Sequence, residues 1–168
     1  MLVRLFVLSF LFFVSCSEVI EKQNPVRLEH GAVAKNQETI KLLFVGDLLL
    51  DRGVRERIEH AGIESLFTNS IDSVFSENDI VVANLECPAT EIEEPINKKY
   101  IFRAEPGWLN TLTEHGITHL NLANNHSMDQ GRDGLIDTDK NIRDNGMIPL
   151  GFGINVKEAF GLFFLLYT

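Results

Sequence analysis

Short apolar runs that end in polar residues alternate with amphipathic segments between residues 40 and 153. The four runs are IKLLFVGD, DIVVANLE, THLNLANNH and MIPLGFG. Apolar runs of this length are typical of parallel strands that are buried on both faces, and we expect this of the first run in particular. Strands that alternate with helices form βαβ units. The sequence therefore predicts an α/β domain with a parallel or mixed sheet and helices on both faces.

The spacing of apolar residues predicts the helices between these strands. Residues 54–61 and 69–76 repeat apolar side chains at helical intervals. Pro106 suits the first turn of a third helix, and Gly116 suits its end. Residues 132–145 form a fourth helix in this interpretation.

Polar residues follow the first three strands, and together they are Asp47, Asn84, Glu86, Asn124, Asn125 and His126. In parallel sheets, ligands bind at the carboxyl ends of the strands, where these residues would converge. Carboxylate, amide and imidazole groups form a mixed ligand set that suits manganese, iron, zinc or magnesium. Two such ions about 3.5 to 4 Å apart can bind the attacking and leaving oxygens of a phosphoryl displacement. The alternative is local, because Asp and Asn also stabilise turns.

The net charge of the 168-residue chain is −9, and this argues against a nucleic-acid partner. Nucleic-acid binding is driven mainly by Lys and Arg side chains that displace counterions from phosphates. An anionic ligand would instead need a local metal ion or arginine.

The amino-terminal segment has the pattern of a secretory signal peptide, which we place at residues 1–15. Its apolar run is shorter than the roughly 20 residues needed to span a bilayer. The following Cys16 ends the sequence FVSC, which resembles the lipobox of bacterial lipoproteins, so we predict lipidation of its thiol. Residues 16–39 would then be a lipid-anchored tether on the cell envelope, and residues 40–168 the domain. An ordinary signal peptide with an incidental cysteine is the alternative.

Four motifs in order resemble the CapA-like branch of the metallophosphoesterases, named for synthesis of poly-gamma-glutamate capsules. They are FVGDLLLDRG, VANLECPAT, FRAEP and LANNHSMDQGRDGL, and the similarity extends from about residue 43 to residue 153. The resemblance implies half of a four-layer fold in which helices enclose two mixed sheets. It also implies an anionic polymer or phosphate ester as substrate, and capsule assembly proteins as partners.

The same resemblance assigns roles to particular residues. It implies a metal site formed by Asp47, Asn84, Glu86, Asn125 and His126. Arg103 in FRAEP would hold an anionic group. Asp129 would orient the catalytic His126.

Two departures limit what the resemblance implies. Leu49 stands where ordinary metallophosphoesterases have a histidine, which fits the capsule-type branch but weakens the case for a full two-metal site. The later histidine motifs are absent before Thr168, so we expect a truncated domain. Because ligands would be missing, we expect this chain to bind metal weakly and to have little or no catalytic activity. The alternative to an enzyme is a non-catalytic cell-surface module that handles an anionic polymer.

The remaining cysteine and histidines have simpler interpretations. We expect Cys87 to be a small apolar core residue, although its position beside Glu86 also allows a soft metal ligand. His119 is expected in the core and His60 on an exposed helix face. His115 would lie at a helix end, where positive charge is favourable.

Overall fold

The computed structural model describes residues 39–159, and these form a parallel α/β unit. The predicted signal peptide, Cys16 and nearly all of the tether lie outside the described residues. One sheet has the strand order β1-β2-β3-β4, and all three neighbouring pairs are parallel. The strands are β1 Leu42–Leu48, β2 Ile80–Leu85, β3 His119–Asn121 and β4 Ile148–Leu150. The predicted α/β class with a parallel sheet is confirmed.

Helices connect successive strands, as the apolar spacing predicts, and one short helix follows the last strand. They are α1 Gly53–Ala61, α2 Asn69–Ser76, α3 Leu109–Glu114, α4 Gly131–Asp144 and α5 Val156–Ala159. The predicted helix at Pro106 begins with a 3-10 turn over Pro106–Trp108 that leads into α3. Another 3-10 turn covers Ile63–Leu66. Within residues 39–159, no helix has the length and apolar character required to cross a membrane.

The hydrophobic core joins one face of the sheet to the helices. Alternate residues of β2, namely Val81, Ala83 and Leu85, are buried in this core. The helical contribution comes from Ile58, Leu109, Leu112 and Ile142. Burial of such side chains stabilises the fold by roughly 25 cal/mol per Å² of apolar surface. The core therefore fixes the strands whose carboxyl ends carry the candidate site.

Strand β1 departs from its prediction, because it is not buried on both faces. Phe44 is 71% exposed and Leu42 is 46% exposed. The physical reason is that Phe44 stands on the sheet face opposite the hydrophobic core, where it lines an open groove with Asn84 and Asn121. An apolar run identifies a strand, but it does not reveal what covers each face of that strand.

A bulge in β1 sets the position of Asp47. Phe44 is opposite Val82 and Asp47 is opposite Asn84, so β1 holds one more residue than β2 over this interval. Bulges redirect side chains and are common beside functional sites. Asp47 thus lies within the strand, level with Asn84, rather than in the loop that follows.

Candidate functional site

Asp47, Asn84 and Glu86 form a hydrogen-bonded group that we call the strand-end cluster. Asn84 Nδ2 donates to Asp47 Oδ1 at 2.8 Å and to Glu86 Oε2 at 2.6 Å. One amide NH2 group therefore bridges two carboxylates. The structure brings these three of the five predicted metal-ligating residues together.

The orientation of the Asn84 amide is set by two further asparagines. Asn84 Oδ1 accepts hydrogen bonds from Asn121 Nδ2 at 2.8 Å and from Asn124 Nδ2 at 3.1 Å. The Asn124 amide is itself oriented, because its Nδ2 donates to Leu85 O and its Oδ1 accepts from His126 N. We assign the NH2 of Asn84 to the carboxylate side on this network. Asn124 was among the residues predicted to converge at the strand ends, but not as a metal ligand, whereas Asn121 was not predicted at the site.

His126 belongs to a second group, which we call the histidine loop and which comprises Lys98, His126 and Asp129. Asp129 is fully buried, and its Oδ2 lies 2.7 Å from His126 Nδ1. The same carboxylate accepts from Phe102 N at 2.8 Å and from Lys98 Nζ at 2.8 Å. Because an ionised carboxylate only accepts, we assign the hydrogen to His126 Nδ1, which leaves a lone pair on Nε2. This geometry has the form that an orienting role of Asp129 requires.

Lys98 orients the other members of the histidine loop, and the sequence did not predict this role. Its Nζ also donates to Asn125 O at 2.7 Å and lies 3.2 Å from His126 Nδ1. The side chain of Asn125 is exposed and makes no hydrogen bond within residues 39–159. The structure therefore does not bring this predicted ligand into the strand-end cluster. Lys98 precedes His126 by 28 residues, so no local pattern reveals their contact.

Arg103, predicted to hold an anionic group, already has partners inside the chain. Its guanidinium donates to Thr90 O at 2.8 Å and pairs with Glu105 and Glu93 at 3.0 Å each. Burial opposes ionisation of Glu105, but hydrogen bonds from Arg55 and Arg103 outweigh it and lower the pKa of this carboxyl. An incoming anion would have to compete with these carboxylates.

The family model described as "Bacterial capsule synthesis protein PGA_cap" matches residues 41–165. The chain belongs to this bacterial capsule synthesis family. It is 31% identical over 140 residues to the capsule biosynthesis protein CapA of Bacillus anthracis, an alignment that covers 79% of this chain and 34% of that relative. It is 28% identical over 126 residues to the PGA biosynthesis protein CapA of Bacillus subtilis (strain 168), covering 74% and 33% respectively. The chain thus spans about a third of the length of these capsule proteins.

The residues of this capsule-family chain fit a divalent cation in part. Asp47 and Glu86 present oxygen ligands of the kind that Mg²⁺ and Mn²⁺ prefer, and Asn84 Nδ2 bridges the two carboxylates. A cation bound by both carboxylates would displace that NH2 group. No three histidine, cysteine, aspartate or glutamate side chains lie close enough to bind one ion within the described part of the chain. An open groove of about 270 Å³ is lined in part by Asn84, Asn121 and Phe44, and neither Asp47 nor Glu86 lines it.

The structure confirms the core or surface positions predicted for Cys87, His119 and His60. Cys87 is fully buried in the core, and burial raises the pKa of its thiol to about 12. The side chain of Cys87 therefore fills the core as the small apolar residue that was predicted. His119 is buried in β3, where burial lowers its pKa, and His60 is exposed on α1. The predictions for all three residues hold.

Proposed function

We propose that the chain acts in the synthesis of an anionic capsule polymer and carries part of a metal-dependent phosphoesterase-like site. The observation that supports this proposal most directly is the strand-end cluster, in which the Asn84 amide bridges the carboxylates of Asp47 and Glu86. Membership of the capsule synthesis family supplies the polymer context. The proposed substrate is an anionic polymer or a phosphate ester, with capsule assembly proteins as partners.

The chemistry of the proposed site divides between the two groups. Asp47 and Glu86 would hold manganese, iron, zinc or magnesium, with one or two ions in the whole family domain. When bound, such an ion supplies Lewis acidity and lowers the pKa of a coordinated water toward about 7. His126 Nε2 has a free lone pair in our assignment, so it can bind a metal or accept a proton. Asp129 would fix the imidazole ring and stabilise its protonated form.

The direct test is metal-dependent hydrolysis of a generic phosphodiester by the purified chain. We expect at most slow turnover with manganese, and any turnover should be lost in Asp47→Asn, in His126→Gln and, for every variant, in EDTA. Glu77→Gln removes an exposed carboxylate at the end of α2 and should leave the rate unchanged. Turnover that is indifferent to metal, or equal in Asp47→Asn and the parent chain, would contradict the proposal.

The second candidate is a non-catalytic module that handles an anionic polymer at the cell surface. It is favoured by the lack of a three-residue cluster of histidine, cysteine or acidic ligands in residues 39–159. Retained polymer binding with no turnover under any metal would support this alternative.

We further propose that the chain is exported and anchored through lipid on Cys16. The motivation is the short apolar segment that ends in FVSC and the polar stretch after it. The substitution Cys16→Ser should shift the protein from the membrane fraction to the soluble fraction and abolish palmitate labelling. Continued membrane association with label would exclude this site of lipidation.

A further inference from the structure

Arg52 adopts a backbone conformation that is unfavourable for an arginine. It lies between β1 and α1 with φ of 54° and ψ of −129°. Among the described residues it is the only non-glycine residue with a positive φ. Glycine adopts such angles without steric strain, whereas other residues do so at a cost. Retained strain of this kind concentrates at functional sites.

The guanidinium of Arg52 differs from its neighbours in its partners. Arg55 pairs with Asp51 and Glu105, and Arg103 pairs with Glu93 and Glu105. Within residues 39–159, the Arg52 side chain has no carboxylate partner and no hydrogen-bond acceptor. This exposed cation is therefore not neutralised by the described part of an acidic chain.

Aromatic rings hold this guanidinium beside the histidine loop. Arg52 Cζ lies 4.8 Å from the ring centroid of Phe102 and 5.1 Å from that of Tyr100. Phe102 also packs on His126, with ring centroids 4.3 Å apart. Phe102 therefore contacts both the guanidinium of Arg52 and the imidazole of His126, so the two groups are close neighbours. Lys99 Nζ lies 5.0 Å from the Tyr100 ring and adds a second exposed cation.

We propose that Arg52, supported by Phe102 and Tyr100, binds an oxyanion of the substrate beside His126. Stacking on an aromatic face leaves the in-plane N–H groups of a guanidinium free, and these match two oxygens of a carboxylate or phosphate. The inference rests on the proposed function and deepens it by naming a substrate-binding residue. Arg103 lacks this freedom, because its N–H groups already serve Glu93, Glu105 and Thr90.

The test measures equilibrium binding of poly-L-glutamate and of polyphosphate to the purified chain in EDTA. Arg52→Gln should weaken binding of the preferred polymer about tenfold, as expected for loss of a hydrogen-bonded ion pair. Arg57→Gln is the matched control, because it removes the same charge from α1, where Arg57 donates to Ser65 O. This control should change affinity less than about twofold. Comparison of the two polymers distinguishes a carboxylate site from a phosphate site.

Two further variants separate binding from folding. Arg52→Gly should keep the circular dichroism spectrum of the parent chain, because glycine tolerates this φ, and should bind as weakly as Arg52→Gln. Arg52→Lys should recover part of the affinity, because it restores the charge without the planar N–H groups. The proposal is overturned if neither polymer binds the parent chain, or if Arg52→Gln and Arg57→Gln weaken binding equally. Because no metal or turnover enters this measurement, its failure is distinct from failure of the proposed phosphoesterase activity.

Discussion

The strand-end cluster and the histidine loop lie on neighbouring strand ends but are built in opposite ways. The buried carboxylate of Asp129 accepts hydrogen bonds from a backbone amide, a lysine and a histidine. The side-chain carboxylates of Asp47 and Glu86 each accept one side-chain hydrogen bond, and both come from Asn84. Hydrogen bonds to the buried carboxylate of Asp129 therefore preorganise the histidine loop. In the strand-end cluster, the carboxylate oxygens of Asp47 and Glu86 can still accept or coordinate a ligand.

The largest effect that this comparison predicts is the loss of stability in Asp129→Ala. The substitution leaves Phe102 N without its acceptor and Lys98 without its partner carboxylate. Leaving the buried Phe102 N–H without an acceptor costs about 1 to 3 kcal/mol, and urea denaturation would measure this as a lower free energy of unfolding.

Asp144→Ala is the control for that measurement, because Asp144 is exposed and pairs with the exposed Lys140. We expect its free energy of unfolding to stay within about 0.5 kcal/mol of the parent value. Equal losses in the two variants would show that the histidine loop is no more preorganised than the surface.

Glu86→Gln should reduce stability much less than Asp129→Ala, and it tests whether the strand-end cluster is an open site. Its amide oxygen can still accept from Asn84, and the change removes repulsion between two neighbouring carboxylates. We expect the free energy of unfolding to change by less than about 1 kcal/mol in the same urea experiment. A loss as large as that of Asp129→Ala would mean that the strand-end cluster is a structural element rather than an open site.

The smallest effect concerns His115, a histidine held by carboxylates outside the candidate site. Its ring nitrogens lie 2.7 Å from Asp72 and from Glu64, and its ring stacks on Phe67. Burial opposes the protonated form, but the hydrogen bonds to Glu64 and Asp72 outweigh it and raise the pKa of His115. The folded state therefore binds the proton more tightly than the unfolded state. The resulting stabilisation is complete below about pH 6.5 and is lost as the pH rises through the raised pKa.

Because both carboxylates are partly exposed, we expect this contribution to be about 0.2 to 1 kcal/mol. His115→Gln should remove that part of the pH dependence in urea denaturation, whereas His60→Gln, at an exposed position, should retain it. An unchanged pH profile in His115→Gln would show that the pairing does not stabilise the fold.

Local patterns predicted the helices and the identity of the strands because both depend on spacing along the chain. Exposure of Phe44 was not predictable, since it depends on what packs against that face of the sheet. The bulge that places Asp47 opposite Asn84 also leaves no local signal in IKLLFVGD.

The candidate site was predictable to a similar extent. Asp47, Asn84 and Glu86 were identified because strand ends converge in parallel sheets. The support from Lys98 and the stacking of Arg52 on Phe102 depend on contacts between residues far apart in sequence. Equally, the orientation of the Asn84 amide follows from hydrogen bonds to Asn121 and Asn124 rather than from residue type.

The central claim is that the strand-end cluster is an open cation site, and titration of Mn²⁺ followed by electron paramagnetic resonance tests it most directly. The account predicts one weakly bound ion per chain, with affinity reduced at least about tenfold in Asp47→Asn and in Glu86→Gln. The exposed Glu77→Gln control should match the parent chain. Manganese binding that is equal in the parent chain, Asp47→Asn and Glu86→Gln would contradict the account.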